Sequence, residues 1–326
     1  MADHADDDFD GEIFIYRGGR APQHITHARI DKSIDEIDDD AFEDCEYLVQ
    51  VDTHDGIRKV GKRAFSGCKS LRRINLKSAV EIDLHAFYEC VNLESAELGD
   101  RLETIGDGAF FQCYSLKTHL KLPSIITIGD GSFYNCNLLT DIELSERLQT
   151  IGKGTFRNCL RLQRIAIPLK RDLFEFSDVY HKYNQFDVCG RLRTVDLVGG
   201  IHINETVASL HMESWRNEMS ADINRINQVL PNTSRSDKTG EIQQWIESLV
   251  DKMDRYKVEH IRYVKEGITL LELALWKTKL GEKEEHAVGG RTKKAKVDAE
   301  SYRRDKRITC GADMVIKNVL PFLQLE

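Results

Sequence analysis

Eight cysteines are the side chains of this sequence best suited to chemistry, since a thiolate can attack a carbonyl, ligate zinc or close a disulfide. Cys45, Cys68, Cys90, Cys113, Cys136, Cys159 and Cys189 follow one another at intervals of 22, 23 or 30 residues, and no Cys-x-x-Cys pair exists to chelate a metal. Cysteines in equivalent slots of stacked coils hold their Cβ atoms about 5 Å apart, beyond the roughly 3.8 Å that a disulfide prefers. A column of free structural thiols is therefore expected. Cys310 stands outside that series, and with Glu259 and His260 it is the candidate set for an enzyme housed in the C-terminal part. Asp6-x-Asp8-x-Asp10-Gly11 copies the opening of a calcium loop, but Arg17 stands where the bidentate glutamate belongs. Gly106-x-Gly108 and Gly129-x-Gly131 lack the third glycine or the Lys-Ser/Thr of a phosphate loop. No catalytic, metal-binding or cofactor-binding residue is assigned, and no cofactor is expected.

The cysteines belong to a repeat. Phe42, Phe65, Phe87, Phe110, Phe133, Phe156 and Phe186 each precede one of them by three residues. Three residues beyond each cysteine comes a leucine: Leu48, Leu71, Leu93, Leu116, Leu139, Leu162 or Leu192. An alternating stretch follows, as in Leu71, Ile74 and Leu76, and a second apolar pair precedes each Phe, as Leu102 and Ile105 precede Phe110. Gly61, Gly106, Gly129 and Gly152 come next, where the missing Cβ is expected to permit a turn. A period of 22–23 residues is one coil, too small to bury its own apolar face. Coils stacked at about 4.8 Å let every Phe, Cys and Leu pack on its own copy, with the alternating stretch as one strand of a parallel sheet.

Three departures from the frame carry expectations of their own. Ile25–Ile30 is a partial copy that should form the first strand, covered by Glu12–Tyr16 as an N-terminal cap. In the fourth full copy the frame turns His119 and Lys121 inward; one extra residue restores Leu120 and Leu122, predicting a β-bulge near Thr118–His119. The interval from Phe156 to Phe186 is 30 residues, and its surplus, Pro168–Gln185 with Phe174, Phe176, Tyr180 and Tyr183, should protrude as a loop.

The run Ile105-Gly-Asp-Gly-Ala-Phe110-Phe-Gln-Cys113-Tyr-Ser-Leu116 resembles the unit Ile-Gly-x-x-Ala-Phe-x-x-Cys-x-x-Leu of the Treponema-type, or BspA-like, leucine-rich repeats. The resemblance covers about residues 25–200. It implies a leucine-rich-repeat solenoid with a parallel β-sheet face, followed here by an α-helical C-terminal region. That family includes bacterial surface adhesins and many proteins of microbial eukaryotes, so the resemblance implies protein–protein interaction and transfers no catalytic residue.

Charge is uneven. The first 46 residues sum to −11 against −8 for the whole chain, which disfavours nucleic acid and anionic membrane as general partners. No apolar run approaches the roughly 18–20 residues of a membrane span. The N-terminus lacks the basic and apolar regions of a secretory signal, so an intracellular location is expected, cytoplasmic or, as an alternative, nuclear.

Two surfaces are candidates for a partner. Along successive strands the outward positions are Gln50 and Asp52, Arg73 and Asn75, Ser95 and Glu97, His119 and Lys121, Asp141 and Glu143, Arg164 and Ala166, and Thr194 and Asp196. They form a mixed-sign face, either a concave binding surface or a solvated sheet. On the outer side Tyr88, Phe111 and Tyr134, each following a repeat Phe, should stack as an aromatic stripe. That stripe is either a docking patch or a ladder filling gaps between coils.

After Gly200 the period becomes helical. Trp215, Met219, Ile223, Ile226 and Leu230 share a face that must end before Pro231, and Ile242, Trp245, Ile246, Leu249, Met253 and Tyr256 share another. Gly267 is expected to interrupt the second helix, which resumes through Leu270–Trp276. These helices should pack on each other, on the last coil, or on a second copy of the chain. The organisation expected is an acidic leader and cap strand (1–24), a solenoid of about seven to eight coils (25–200), a helical bundle (201–280), a charged linker (281–307) and an apolar end (308–326). The linker carries Arg291, Lys293, Lys294 and Lys296, a solvated stretch or an import signal, and the end should hold a short helix over Ala312–Val319. The functional expectation is a non-enzymatic interaction scaffold of unidentified protein partner, with the tail as cap or assembly element. An exported adhesin and an enzyme acting through the tail are the alternatives.

Overall fold

Two apolar stretches per period give two strands per coil. In the computed structural model, which describes residues 13–117, 119–174, 184–198 and 212–287, the longer strands are β1 (Phe14–Tyr16), β2 (His27–Ile30), β4 (Gln50–Asp52), β6 (Arg73–Leu76) and β8 (Ser95–Leu98). They pair in that order, all parallel. Further along, β10 (His119–Lys121), β12 (Asp141–Glu143), β14 (Arg164–Ile167) and β15 (Thr194–Leu197) form a second parallel sheet. A third sheet joins two-residue strands: β3 (Glu36–Ile37), β5 (Lys59–Val60), β7 (Glu81–Ile82), β9 (Thr104–Ile105), β11 (Thr127–Ile128) and β13 (Thr150–Ile151). The register sets each residue beside its copy one period on, as in Ile142 with Ile165 and Ile165 with Val195.

The seven repeat phenylalanines form a single file. Consecutive rings from Phe42 to Phe186 lie 5.0–5.8 Å apart and nearly parallel. Tyr16 takes the place of an eighth ring, tilted 40° on Phe42 at 5.0 Å, and its hydroxyl accepts a hydrogen bond from the Asp38 amide. Burial pushes the Tyr16 phenol up to about 12.

Each cysteine stitches one coil to the one before it. The Cys68 thiol donates to the Phe42 carbonyl (3.1 Å), Cys90 to Phe65 (3.0 Å), Cys113 to Phe87 (3.2 Å), and the pattern runs on to Cys189 and Phe156 (3.0 Å). All seven cysteines are free and buried. Burial drives their thiols well above the ordinary value of 9, with Cys189 at about 12 and Cys45 at about 11. A raised thiol pKa means the folded chain holds its proton more tightly than the unfolded one, so this stabilisation is complete below pH 9 and lost as pH climbs toward the folded values. The denaturant midpoint should therefore hold steady from pH 7 to about 8.5 and fall above 9. A thiol reagent should label these seven positions only after unfolding.

Two left-handed positions recur along the stack, both in the coils of Phe42 to Phe156 and the second alone in that of Phe186. Two residues before the Phe stand Asp40, Arg63, His85, Gly108, Gly131 and Gly154; two residues after it stand Asp44, Gly67, Glu89, Gln112, Asn135, Asn158 and Val188, all with φ between 51° and 72°. Val188 is the misfit, because a β-branched side chain at φ 64° is strained. Val188→Asn should raise stability by about 1 kcal/mol, read as a higher urea midpoint. Gly61, Gly106, Gly129 and Gly152 stand at the head of the turn expected there, with the Ala64 and Ala109 amides donating to the Gly61 and Gly106 carbonyls at 3.2 and 3.3 Å, and none of the four is left-handed. Their requirement is close approach: a Cβ on Gly106 would meet the Leu84 amide nitrogen at 2.6 Å, and one on Gly129 the Asp107 nitrogen at 2.5 Å. Beside these glycines a carboxylate column ties coils together, with the Asp39, Asp107 and Asp130 side chains accepting from the Lys62, Asp130 and Lys153 amides at 2.6–2.8 Å.

The irregular coils resolve as follows. β1 lies parallel on β2 as the covering strand. Leu120 and Leu122 are buried with His119 and Lys121 outside, as an inserted residue requires; Thr118 itself lies outside the described residues. Among the described residues no ladder joins β8 to β10, so the insertion divides the sheet. The surplus after Phe156 begins inside the core and not as a loop. Leu173 and Phe174 are buried, Ile151 bridges Phe174, and the Phe174 ring meets Phe186 edge-on at 5.7 Å. An apolar pair was available there to extend the short-strand face. Phe176, Tyr180 and Tyr183 lie outside the described residues.

Two helices follow, α1 (Met212–Val229) and α2 (Lys238–Ala287). α1 stops just ahead of Pro231, which cannot continue it. Gly267 does not interrupt α2, and the helix runs into the stretch expected to be a charged linker; one glycine costs only about 1 kcal/mol in a helix this long. Residues 220–250 belong to one compact unit with the solenoid, and 212–219 with 251–287 belong to a second. In the first unit Met219's successors Ile226 and Leu230 are buried, with Ile242, Trp245, Ile246, Leu249 and Val250. The buried Lys238 ammonium donates to the Leu192 and Leu230 carbonyls at 2.7 and 2.5 Å, Thr239 accepts from the Phe186 amide, and Asn227 bonds both backbone groups of Val195. In the second unit Tyr256 donates to Glu218 at 2.7 Å. The acidic leader with its Asp6–Asp10 motif, Asn204, Arg291–Lys296, Cys310 and Ala312–Val319 lie outside the described residues.

Candidate functional site

Alternation along each long strand turns one side chain in and the next out, and this positions the first surface. Arg73, Asn75, Glu97, His119 and Lys121 are exposed, and Asp141, Glu143 and Arg164 are half-buried. Ala166 was expected on this face but is buried at 2 %, because β14 is covered over its last three residues. Register brings the charges of adjacent strands together. His119 lies beside Asp141 and Lys121 beside Glu143, whose ammonium and carboxylate are 3.5 Å apart. Arg164 pairs with Asp196 at 2.7 Å, Lys77 with Glu97 at 2.7 Å and Arg29 with Asp52 at 3.3 Å. Asn75 spends its side-chain oxygen on the Lys77 amide. Much of the face is thus already neutralised in cis, and exposed pairs of this kind add little stability.

The second surface lies on the turn that follows each repeat Phe. Tyr88 and Phe111 stack at 4.9 Å, Phe111 and Tyr134 at 4.7 Å, both within 9° of parallel, and all three are half-buried. The stripe is longer than the three residues read from sequence. His85 tilts onto Tyr88 at 5.0 Å at one end, and the Arg157 guanidinium covers Tyr134 at 5.7 Å at the other while pairing with Asp187 at 3.2 Å. Burial lowers the pKa of His85 and raises that of Tyr88. Tyr114 and Leu160, three residues past the stripe slots of their coils, are exposed beside it. The signal for both was present, since the column three residues after the stripe reads Val91, Tyr114, Asn137, Leu160.

Among the described residues no cluster of three His, Cys, Asp or Glu side chains is placed to hold a metal ion, and no helix is long and apolar enough to cross a membrane. Glu259 is exposed on α2; the His260 side chain and Cys310 fall outside the described residues.

The family model of the BspA type leucine-rich repeat region matches residues 21–125 and 111–209 in six copies, more than half of the chain. The chain belongs to the BspA-type leucine-rich-repeat family. A T. pallidum leucine-rich-repeat protein of known crystal structure is 29% identical, with a TM-score of 0.47, over 55% of this chain and 82% of that one. A leucine-rich cell surface protein of Faecalibacterium prausnitzii is 19% identical (TM-score 0.36; 59% and 63% covered), and a leucine-rich-repeat protein of Bacteroides ovatus is 21% identical (TM-score 0.36; 57% and 63% covered). The chain spans under two thirds of the latter two. Comparison with curated proteins found no match. Leucine-rich-repeat solenoids bind proteins in general, and the fold is typically non-enzymatic.

Proposed function

We propose that this chain is a non-enzymatic scaffold that binds a protein partner through the solenoid surface, with residues 220–250 capping the last coil. One observation carries the reading. The reactive group repeated in every coil, the thiol, is sunk and held protonated, while the coil-repeated outward slots offer only contact chemistry: paired charges on the strand face and a stacked aromatic stripe on the turn.

The test uses the full chain in affinity capture from its native source, with one variant set per surface. Arg73→Ala, His119→Ala and Lys121→Ala together probe the strand face; Tyr88→Ser, Phe111→Ser and Tyr134→Ser probe the stripe. One set should lose the captured protein while the fold, read by circular dichroism, is kept. If both sets retain every partner, the surface reading fails. A place inside the cell is part of the same proposal and has its own test. Chain from that source should carry reduced cysteines and no glycan on Asn204, which heads the acceptor sequence Asn204-Glu-Thr206; oxidised cysteines or a glycan would favour export.

A further inference from the structure

α2 is covered at its start and bare further on. Ile242, Trp245, Ile246, Leu249 and Val250 are at most 6% exposed, whereas Ile261, Ile268 and Leu275 are 52%, 38% and 55% exposed. These three are seven residues apart, and Val264 and Leu271 fall between them, so the steps run three, four, three, four. That is the seam spacing of a two-stranded coil, run by Ile261, Val264 and Ile268 and then Leu271 and Leu275 along about 20 Å of helix. Lys265 and Glu272, both exposed, border one side of the seam, and Gly267 and Ala274 border the other.

We propose that a second copy of this chain pairs antiparallel along this seam. Reversal about a two-fold axis sets Ile268 of one copy against Leu271 of the other. It also sets Lys265 of each copy against Glu272 of its mate, twice over, and Gly267 against Ala274, where small residues let the helices approach. A parallel pair aligns equal positions and leaves Lys265 and Glu272 facing the Gly267 and Ala274 border without a counter-charge. A foreign partner has no need of a border that complements itself on reversal, whereas an isologous contact requires it. The uninterrupted course of α2 through Gly267 fits this role. The inference is independent of which solenoid surface binds the scaffold's partner.

Sedimentation equilibrium on the full chain tests it. The chain should be dimeric, and Ile268→Asp should make it monomeric with an unchanged circular dichroism spectrum from the solenoid. Lys265→Glu alone and Glu272→Lys alone should each weaken the dimer on the order of tenfold, since each creates two like-charge contacts. An equimolar mixture of the two variants should regain wild-type affinity, because every border pair is then opposite in sign. A wild-type chain monomeric at about 100 µM, or a mixture that binds no more tightly than either variant alone, overturns the proposal.

Discussion

Phe110→Ala should lower the unfolding free energy by about 3–5 kcal/mol, measured as a fall in the urea midpoint at unchanged slope. The ring is fully buried and stacked at 5.2 Å on both Phe87 and Phe133, so its loss opens a cavity and removes two aromatic contacts at once. Neighbouring coils are tied by ladders above and below and cannot close the gap by sliding. Tyr16→Ala, at the end of the file with a ring on one side only, should cost less. A loss below about 1 kcal/mol at Phe110 would mean that the file of rings is not what holds the coils together.

Gly129→Ala should cost more than about 2 kcal/mol, while Gly131→Ala, two residues on, should cost roughly 1 kcal/mol. Alanine at 129 drives its methyl to 2.5 Å from the Asp107 nitrogen and 2.7 Å from the Gly106 carbonyl carbon, which are backbone atoms of the preceding coil. At 131 the nearest atoms are at 3.8 Å, and the cost is only the left-handed φ of 57°. Gly131→Asn should be milder still, since Asp40, Arg63 and His85 already occupy that slot in other coils. Paired thermal melts decide it: equal losses at 129 and 131 would show that turn conformation, not coil approach, governs both.

The solenoid was legible because its determinants are local and repeated. Phe, Cys and Leu at fixed offsets announced one file each, and the register between coils followed from the period. What remained hidden was set between coils. The glycine of the Ile-Gly pair was legible as the head of a turn, but the sequence cannot display the backbone of the coil behind it, which is what excludes a Cβ there. The Asp39, Asp107 and Asp130 column was masked by the abundance of aspartate around it. Phe174 was read as loop although it stands one full period of 23 residues after Ile151, because the repeat Phe that should follow five residues later comes only after 12, at Phe186. Gly267 misled through propensity alone. Of the two candidate surfaces, the core of the aromatic stripe was visible as three consecutive rings, but its ends were not, since His85 reaches it from a different slot, two residues before its repeat Phe, and Arg157 covers the last ring with a cation instead of a ring.

The division between β8 and β10 affects only one side of the stack. Across the same pair of coils β9 and β11 stay bonded, and the Phe87, Phe110 and Phe133 rings keep their spacing. On the strand side the Lys117 amide still donates to the Glu94 carbonyl at 3.0 Å, just ahead of both strands. The outward face is therefore two ladders in one row, Phe14–Leu98 and His119–Leu197. A molecule laid across both would meet a break in strand pairing that one seated on either ladder alone would not.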